Sequence, residues 1–215
     1  MVFTYMIAQL YPSYKKQEGW YLILGSSNLD KALTGDYTKY DNSAADICPI
    51  AGLNRFNVQE FADWFGKKYN HKVFEDIAVT KHVNELRPIE SIKLDKDKNI
   101  ATVDDEFSFQ EIDVLATFRK DRKCGPVDMF VLLCDEWNQL TPREVAKKVK
   151  TFFVRYSVNR HKASVAPPGY HCKGYGCDDN RYDMRQIIYD DTWEVQFNKI
   201  DNMVRDYEKR GNHRI

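Results

Sequence analysis

Trp20-Tyr21-Leu22-Ile23-Leu24 is a run of five apolar residues, and the small and polar residues Gly25-Ser-Ser-Asn28 follow it directly. A short apolar run that ends in a turn is typical of a strand buried on both faces of a parallel sheet. Open α/β sheets bind their ligands where such strands end. The segment therefore predicts an α/β fold with a site that begins near Gly25.

Helical spacing of apolar residues marks five further segments. The predicted helices, with their inner residues, are 1–11 (Phe3, Met6, Ile7, Leu10), a helix capped by Asn57 with Glu60 (Val58, Phe61, Ala62, Phe65), 109–118, a helix opening at Thr141-Pro-Arg-Glu144 (Val145, Val149, Phe152, Phe153) and 193–210. The Thr141 start is the clearest signal, because it combines an N-cap threonine, a first-turn proline and a glutamate three residues after the cap.

The connections are expected to be irregular. Residues 78–106 are charged and predicted to be exposed, while residues 163–191 are rich in Pro, Gly, Asp and Tyr and predict a long ordered loop. One strand with five helices is unbalanced for a complete α/β domain, in which strands and helices alternate. We therefore expect the front of the domain to be missing from these 215 residues.

Charge and composition exclude several classes of function. Basic and acidic residues both number 32, so no net charge attracts nucleic acid or an anionic membrane. No apolar run reaches the roughly 18 residues of a membrane span, and the first residues lack a signal-peptide pattern. The five cysteines are odd in number and scattered, which is typical of a reducing compartment and predicts a cytoplasmic protein.

Two clusters of polar residues are candidate sites. The first runs from Gly25 to Asp46, where Ser26, Ser27 and Asn28 offer hydrogen bonds and Thr38-Lys39 offers a hydroxyl and a cation suited to phosphate. A solvated loop would have the same composition. The second cluster, Asn159-Arg-His-Lys162, could grip phosphate or carboxylate, or could simply interact with the C-terminus of the preceding helix.

A third group, His171-Cys172 with Cys177, invites a zinc interpretation. The spacing lacks a Cys-x-x-Cys pair and no fourth ligand is near, so we expect no zinc site there. The dinucleotide-binding pattern Gly-x-Gly-x-x-Gly and the phosphate-binding pattern Gly-x-x-x-x-Gly-Lys-Ser/Thr do not occur in the sequence.

Several of these segments together resemble the eukaryotic type of glutamine-dependent NAD synthetase, in order and at compatible spacing over nearly the whole chain. The segments that carry the resemblance are Leu24-Gly-Ser-Ser-Asn28, Leu33-Thr-Gly35, Thr38-Lys-Tyr-Asp41, Ala45-Asp-Ile-Cys-Pro-Ile50, Thr141 to Phe153, Tyr156-Ser-Val-Asn-Arg-His-Lys162, Tyr170-His171 and Asp179-Asn-Arg-Tyr-Asp-Met-Arg185.

The resemblance implies a Rossmann-like synthetase domain of the ATP-pyrophosphatase type (adenine nucleotide alpha hydrolase-like). Such an enzyme uses ATP and Mg²⁺ to adenylate the nicotinate carboxylate of deamido-NAD, and ammonia then displaces AMP to give NAD. In this family an N-terminal nitrilase-like domain releases the ammonia from glutamine, and a Ser-Gly-Gly-x-Asp-Ser loop wraps the pyrophosphate.

The resemblance also implies roles for individual residues. Thr38 and Ser26 would contact ATP. Four residues would contact deamido-NAD or the adenylate: Lys39, Asp46, His161 and Lys162. Asp105, Glu106 and the segment from Phe109 to Asp113 match, more loosely, an acidic stretch and helix that close over the substrate.

Two departures argue against activity of this chain alone. The Ser-Gly-Gly-x-Asp-Ser loop does not occur in it, and Lys31 stands where the family has a glutamate thought to hold magnesium. Exchanging a carboxylate for an ammonium turns attraction to a divalent ion into repulsion, a reversal worth several kcal/mol at contact distance for an effective dielectric of about 20. We therefore assign no catalytic residue and no metal site.

The preferred interpretation is an N-terminally truncated member of this family, with residues 1–118 forming the sheet and nucleotide-site part and 119–215 a helical C-terminal extension. Its small-molecule partners would be deamido-NAD and ATP. We also expect a homo-oligomer or association with a full-length synthetase. The alternative is a non-catalytic paralogue that binds a dinucleotide or such a synthetase.

Overall fold

The computed structural model describes residues 1–35, 37–40, 44–69, 93–94, 100–101, 107–172, 174, 176 and 190–209. The chain divides into two compact units. Unit 1 comprises Met1–Leu86 with His161–Gln186, and unit 2 comprises Arg87–Arg160 with Ile187–Ile215. The division predicted at residue 118 separates a sheet and nucleotide-site part from a helical extension, and does not describe compact units. It stays a prediction.

The described elements follow one another along the chain as α1 (Val2–Tyr14), α2 (Leu29–Thr34), α3 (Arg55–Tyr69), β1 (Lys93–Leu94), β2 (Ile100–Ala101), α4 (Phe109–Ala116), a π-helical segment (Thr117–Asp121), α5 (Pro126–Glu136), α6 (Pro142–Asn159), a 3₁₀ segment (Arg160–Val165) and α7 (Glu194–Lys209). Strands β1 and β2 pair antiparallel, so this part of the segment predicted to be irregular forms a short hairpin-like pair. Within the described residues, no helix combines the length and apolarity needed to cross a bilayer.

Helix α6 confirms the predicted start at Thr141. The Thr141 hydroxyl accepts a hydrogen bond from the backbone of Glu144, and the Glu144 carboxylate accepts one from the backbone of Thr141. The four residues predicted to face inward are all fully buried (Val145, Val149, Phe152 and Phe153).

Helices α5 and α7 pack against α6 in unit 2. Met129, Phe130 and Leu133 of α5 are fully buried, as is Ile200 of α7. The indole of Trp193, just before α7, donates a hydrogen bond of 2.8 Å to the Ser157 hydroxyl. Because apolar side chains from three helices meet, unit 2 has a closed core.

Sequence reasoning missed α5 altogether. Its N-cap is Gly125, which has no side chain to cap the helix. Its apolar residues also run without interruption from Met129 to Cys134, so no polar face marks a helical period there.

Unit 1 departs from the prediction at the Trp20–Leu24 segment. Instead of a strand, the described residues form one parallel bridge between Leu24 and Ile47. Ile23 is buried, but its apolar neighbours Trp20, Leu22 and Leu24 are at least half exposed. A strand needs a partner along its edges, and among the described residues only a few backbone contacts, with Ala8, Asp46 and Ile47, supply one here.

Helix α1 forms as predicted, but with the opposite face inward. Ala8 is buried against Ile23 and Ala45, with Met1 and Tyr5 packed beside them. The four residues predicted to face inward are exposed instead (Phe3, Met6, Ile7 and Leu10). The face of α1 that carries Ala8 packs against Ile23 of the extended segment. No described residue covers the opposite face, which carries Phe3, Ile7 and Leu10.

The N-cap of helix α3 lies three residues before the predicted cap, Asn57. Its N-cap group is the side chain of Asn54, which accepts a hydrogen bond of 2.8 Å from the backbone of Asn57. The Asp30 carboxylate accepts a second one, 2.9 Å from the backbone of Arg55. Of the residues predicted to face inward, Ala62 is buried and Phe61 is exposed.

The loop that follows the 3₁₀ segment lies against the turn at residues 48–52. The backbone of Cys48 donates a hydrogen bond of 2.9 Å to the carbonyl of Pro168. A Cβ atom at Gly52 would collide with the carbonyl oxygen of Tyr170, so glycine is required by this close approach. The start of the predicted ordered loop is therefore fixed to unit 1.

Candidate functional site

Lys39 and His161 meet in unit 1, although 122 positions separate them in the sequence. The Lys39 ammonium lies 3.2 Å from Nδ1 of the His161 ring. Because an ammonium can only donate, Nδ1 is the acceptor and the neutral ring carries its proton on Nε2. Two of the residues predicted to contact the dinucleotide are thus brought together.

The environment of His161 favours the neutral ring. Partial burial lowers the pKa of His161 below its ordinary value of 6.5, and the positive charges of Lys39 and Lys162 lower this pKa further. A site with two ammonium groups beside a neutral imidazole can accept an anion without first losing a proton.

Lys162 holds the segment that precedes Thr38. Its ammonium donates hydrogen bonds of 2.7 Å to the carbonyl of Gly35 and 2.8 Å to the carbonyl of Tyr37. Gly35 has a φ of 67°, a conformation that favours glycine. The lysine predicted to bind the ligand therefore also positions the chain that carries Thr38 and Lys39.

Asp46 is tied to other parts of unit 1. Its carboxylate accepts a hydrogen bond of 2.8 Å from the backbone of Ile23 and one of 3.2 Å from the Tyr5 hydroxyl. Burial, followed by the hydrogen bond and charge of Asp46, raises the pKa of Tyr5. These bonds give Asp46 a structural role, and its predicted contact with deamido-NAD stays a prediction.

Other predicted positions are exposed or lie outside the described part of the structure. Thr38 and Ser26 are exposed. The side chain of Lys31 is outside the described part, and so are the whole residues Asp105 and Glu106. The backbone of residues 109–113 forms the first part of α4 in unit 2, after a capping box made by Ser108 and Glu111.

The structure describes two members of the group His171, Cys172 and Cys177. His171 is half-buried and Cys172 is exposed, while Cys177 lies outside the described residues. The described residues contain no group of three or more His, Cys, Asp or Glu side chains arranged to hold a metal ion.

Sequence reasoning missed a cluster of cations in unit 2. The charged ends of Arg119, Lys120 and Arg160 lie 5.2, 5.5 and 5.3 Å from the centre of the buried Tyr156 ring. Arg119 and Lys120 belong to the π-helical segment, an irregularity often found at functional sites. The Arg-Lys pair is visible in the sequence, but its packing on Tyr156 depends on the tertiary fold.

Unit 2 also contains a cavity of about 420 Å³ where α5 ends and α6 begins. Its lining includes Cys134, Asp135, Thr141 and Tyr207. None of these residues was predicted to bind a ligand, so the cavity is separate from the predicted site residues.

Comparison with known proteins identifies what the chain resembles. A family model described as NAD synthase matches residues 3–123. The chain is 42% identical over 205 residues to the glutamine-dependent NAD(+) synthetase of Arabidopsis thaliana, and 37% identical over 211 and 213 residues to those of Saccharomyces cerevisiae and Homo sapiens. These matches cover 95–97% of this chain but only 28–29% of each relative.

A solved structure extends the comparison to the fold. The crystal structure of a glutamine-dependent NAD(+) synthetase from Cytophaga hutchinsonii matches 89% of this chain and 28% of its own, with a TM-score of 0.59 and 18% identity. The predicted fold class is thereby supported as that of an NAD synthetase, although the described residues contain no strand of the expected parallel sheet. On the match to the family model over more than half of its length, the chain belongs to the NAD synthase family.

Proposed function

We propose that this chain supplies the dinucleotide-binding residues of an ATP-dependent synthetase that converts deamido-NAD to NAD. The observation that carries the proposal is the contact between Lys39 and His161, with Lys162 fixing the segment before Thr38. Deamido-NAD carries a pyrophosphate and a carboxylate, and the two ammonium groups match such anions. Thr38 and Ser26, both exposed, are the proposed contacts to ATP.

The residues of this chain do not form a complete binding site for the ATP phosphates and magnesium. The sequence contains no Ser-Gly-Gly-x-Asp-Ser loop. The acidic residue next to Lys31 is Asp30, whose buried carboxylate already accepts hydrogen bonds from Asn28 and from the backbone of Arg55. We therefore derive no chemical step through the metal, and we propose that the isolated chain binds substrate without turning it over.

A second candidate function is a non-catalytic module that associates with itself or with a full-length synthetase. The exposed apolar face of α1 favours it, because a soluble monomer rarely leaves so many large apolar side chains uncovered. The odd number and scattered positions of the cysteines favour a reducing, cytoplasmic setting for either function.

Calorimetry with deamido-NAD tests the binding proposal on the purified chain. A charge-assisted contact contributes about 1.5–3 kcal/mol, so Lys39→Ala should weaken binding roughly tenfold or more. Lys67→Ala, which removes an exposed charge from the end of α3 in the same unit, is the matched control and should bind like the wild type.

Equal affinity of the wild type and Lys39→Ala would exclude the proposed role of Lys39. The same samples, given ATP, ammonia and Mg²⁺, should form no NAD above a heat-killed control. Turnover by the wild-type chain would overturn the proposal that it is inactive alone.

A further inference from the structure

The cavity where α5 ends and α6 begins, which we call the end cavity, has the size and lining of a small-molecule site. Its volume of about 420 Å³ lies in the range of about 300–1,000 Å³ that is usual for ligand pockets. Apolar walls come from Leu140, Pro142 and Tyr207, while a carboxylate and an amide come from Asp135 and Gln139. Such a lining suits a planar polar ring, because an aromatic wall can stack on the ring while polar groups bind its edge.

The aromatic wall of the end cavity is held in place by the core of unit 2. The ring of the buried Phe130 packs edge-on against that of Tyr207, with ring centres 6.2 Å apart and planes at 76°. Tyr207 itself is half-buried. A planar ligand therefore meets a wall that is already ordered, which reduces the entropic cost of binding.

A groove rich in positive charge lies between α6 and α7 of the same unit, and we call it the basic groove. Its volume is about 390 Å³. One carboxylate lines it, that of Asp201, against four cationic side chains, which are Arg143, Lys147, Lys150 and Arg205. Lys150 lies 2.6 Å from Asp201 and neutralises it. Three cations remain to attract an anion into the groove.

Two of these three cations have no carboxylate partner among the described residues. Arg205 donates a hydrogen bond of 3.1 Å to the side-chain oxygen of Asn202, and Lys147 makes no hydrogen bond or ion pair. Phosphate oxygens accept strong, charge-assisted hydrogen bonds from both kinds of side chain. The groove is therefore suited to phosphate groups.

The third cation lies where the groove adjoins the end cavity. Arg143 lines the groove and directly follows Pro142 of the cavity, and its guanidinium pairs with Glu208 at 3.0 and 3.1 Å. Glu208 in turn follows Tyr207 of the cavity. The Arg143 side chain is 75% exposed, and an exposed ion pair contributes little to stability. Arg143 can therefore exchange this carboxylate for a phosphate at small cost.

We propose that the end cavity and the basic groove together bind a nucleoside diphosphate. The base lies in the cavity on Tyr207, and the phosphates accept hydrogen bonds from Arg143, Lys147 and Arg205. Three cations suit a diphosphate better than a single phosphate group, because each can bind a separate oxygen. All of these residues belong to unit 2, and none is among those proposed to contact ATP or deamido-NAD.

Calorimetry of the purified chain with ADP and with inorganic pyrophosphate tests the proposal. We expect pyrophosphate to bind roughly tenfold more weakly than ADP or worse, because it lacks a base to stack in the cavity. Lys147→Glu should weaken ADP binding about tenfold or more, since it replaces an available cation with a charge that repels phosphate. Lys199→Glu is the matched control: Lys199 is an exposed residue of α7 outside both linings, and this variant should bind ADP like the wild type.

Tyr207→Leu tests the end cavity separately, because it removes the ring and keeps an apolar side chain. It should weaken ADP binding about fivefold or more and leave pyrophosphate binding unchanged, with circular dichroism as the check on folding. Lys147 is exposed, so its variant tests the site even where loss of Tyr207 disturbs the core.

Three results would each overturn the inference: no ADP binding by the wild type, equal affinity for ADP and pyrophosphate, or unchanged ADP affinity of Lys147→Glu. Lys39→Ala, which should weaken deamido-NAD binding, should leave ADP binding by unit 2 unchanged. Failure of this inference is therefore distinguishable from failure of the proposed function.

Discussion

Among the described residues, unit 2 buries most of its large apolar side chains, whereas unit 1 leaves many of its own exposed. Leu133 of unit 2 is fully buried, while Leu24 of unit 1 is 63% exposed. Helices satisfy their backbone hydrogen bonds internally and need only a packing face, so three of them close a core. An extended segment needs a neighbour for its backbone as well, and among the described residues the Trp20–Leu24 segment forms a single bridge, to Ile47.

Truncating Leu133 of unit 2 and Leu24 of unit 1 should give the largest difference between the units in the free energy of unfolding. Leu133→Ala should lower the free energy of unfolding by about 2–5 kcal/mol, because it leaves a cavity in a closed core. Leu24→Ala should cost no more than about 1 kcal/mol, because most of that side chain is already in water. Urea denaturation followed by far-UV circular dichroism measures both.

Equal costs for the two leucines would contradict the contrast between a closed and an open unit. The experiment is best done at a protein concentration where the light-scattering mass is constant, since association adds to the apparent stability.

The same contrast explains which parts of the structure could be predicted. Local sequence signals predict helix α6, namely Thr141, Pro142 and the spacing of its apolar residues. The Trp20–Leu24 segment reads as a buried strand, but a strand is buried only where other segments pair with it and cover it, and among the described residues one bridge joins it to Ile47. Sequence periodicity identifies an apolar face and does not identify what covers it, which is why the inner face of α1 was assigned wrongly.

The candidate site was predictable only in part, and for a related reason. Local pattern alone left Thr38-Lys39 as a possible solvated loop and the Asn159–Lys162 segment as a helix end. Resemblance to a family placed them in one site, and the structure brings Lys39 to His161. No spacing rule predicts a contact across 122 positions, or the packing of Arg119 and Lys120 on Tyr156.

Removing a helix cap should cost a similar free energy of unfolding in either unit, because a cap is a local interaction. Thr141→Ala in unit 2 removes the side-chain cap of α6 and should cost about 1 kcal/mol. Asn54→Ala in unit 1 removes the cap of α3 and should cost at least as much, since Asn54 is buried. The same urea experiment measures both, and a negligible cost at Asn54 would show that α3 is not held by its cap.

The cationic groups of unit 1 give the smallest expected effect. In unit 2, Lys148 pairs with Glu111 and Lys150 with Asp201, and further cations lie on the ring of Tyr156. Unit 1 instead gathers Lys39 and Lys162 around His161. Like charges that are held close together lower the free energy of unfolding. Such an arrangement is typical of a site that binds an anion.

The pH dependence of His161 tests this arrangement. Its pKa is lowered in the folded chain, so the unfolded chain binds the proton more readily. Well above pH 6.5 both states are neutral at this residue, and there it makes no contribution to the pH dependence of stability. As the pH falls from there through the folded pKa, protonation should progressively destabilise the fold. NMR titration of the five histidines should show His161 titrating below 6.5.

Lys39→Met should move the pKa of His161 upward without restoring it fully, because burial is the larger cause of the shift and Lys162 remains. The control Lys67→Met should leave it unchanged. A His161 that titrates at or above 6.5, or one indifferent to Lys39, would mean that the two side chains are not held together, and the proposed anion site would lose its foundation.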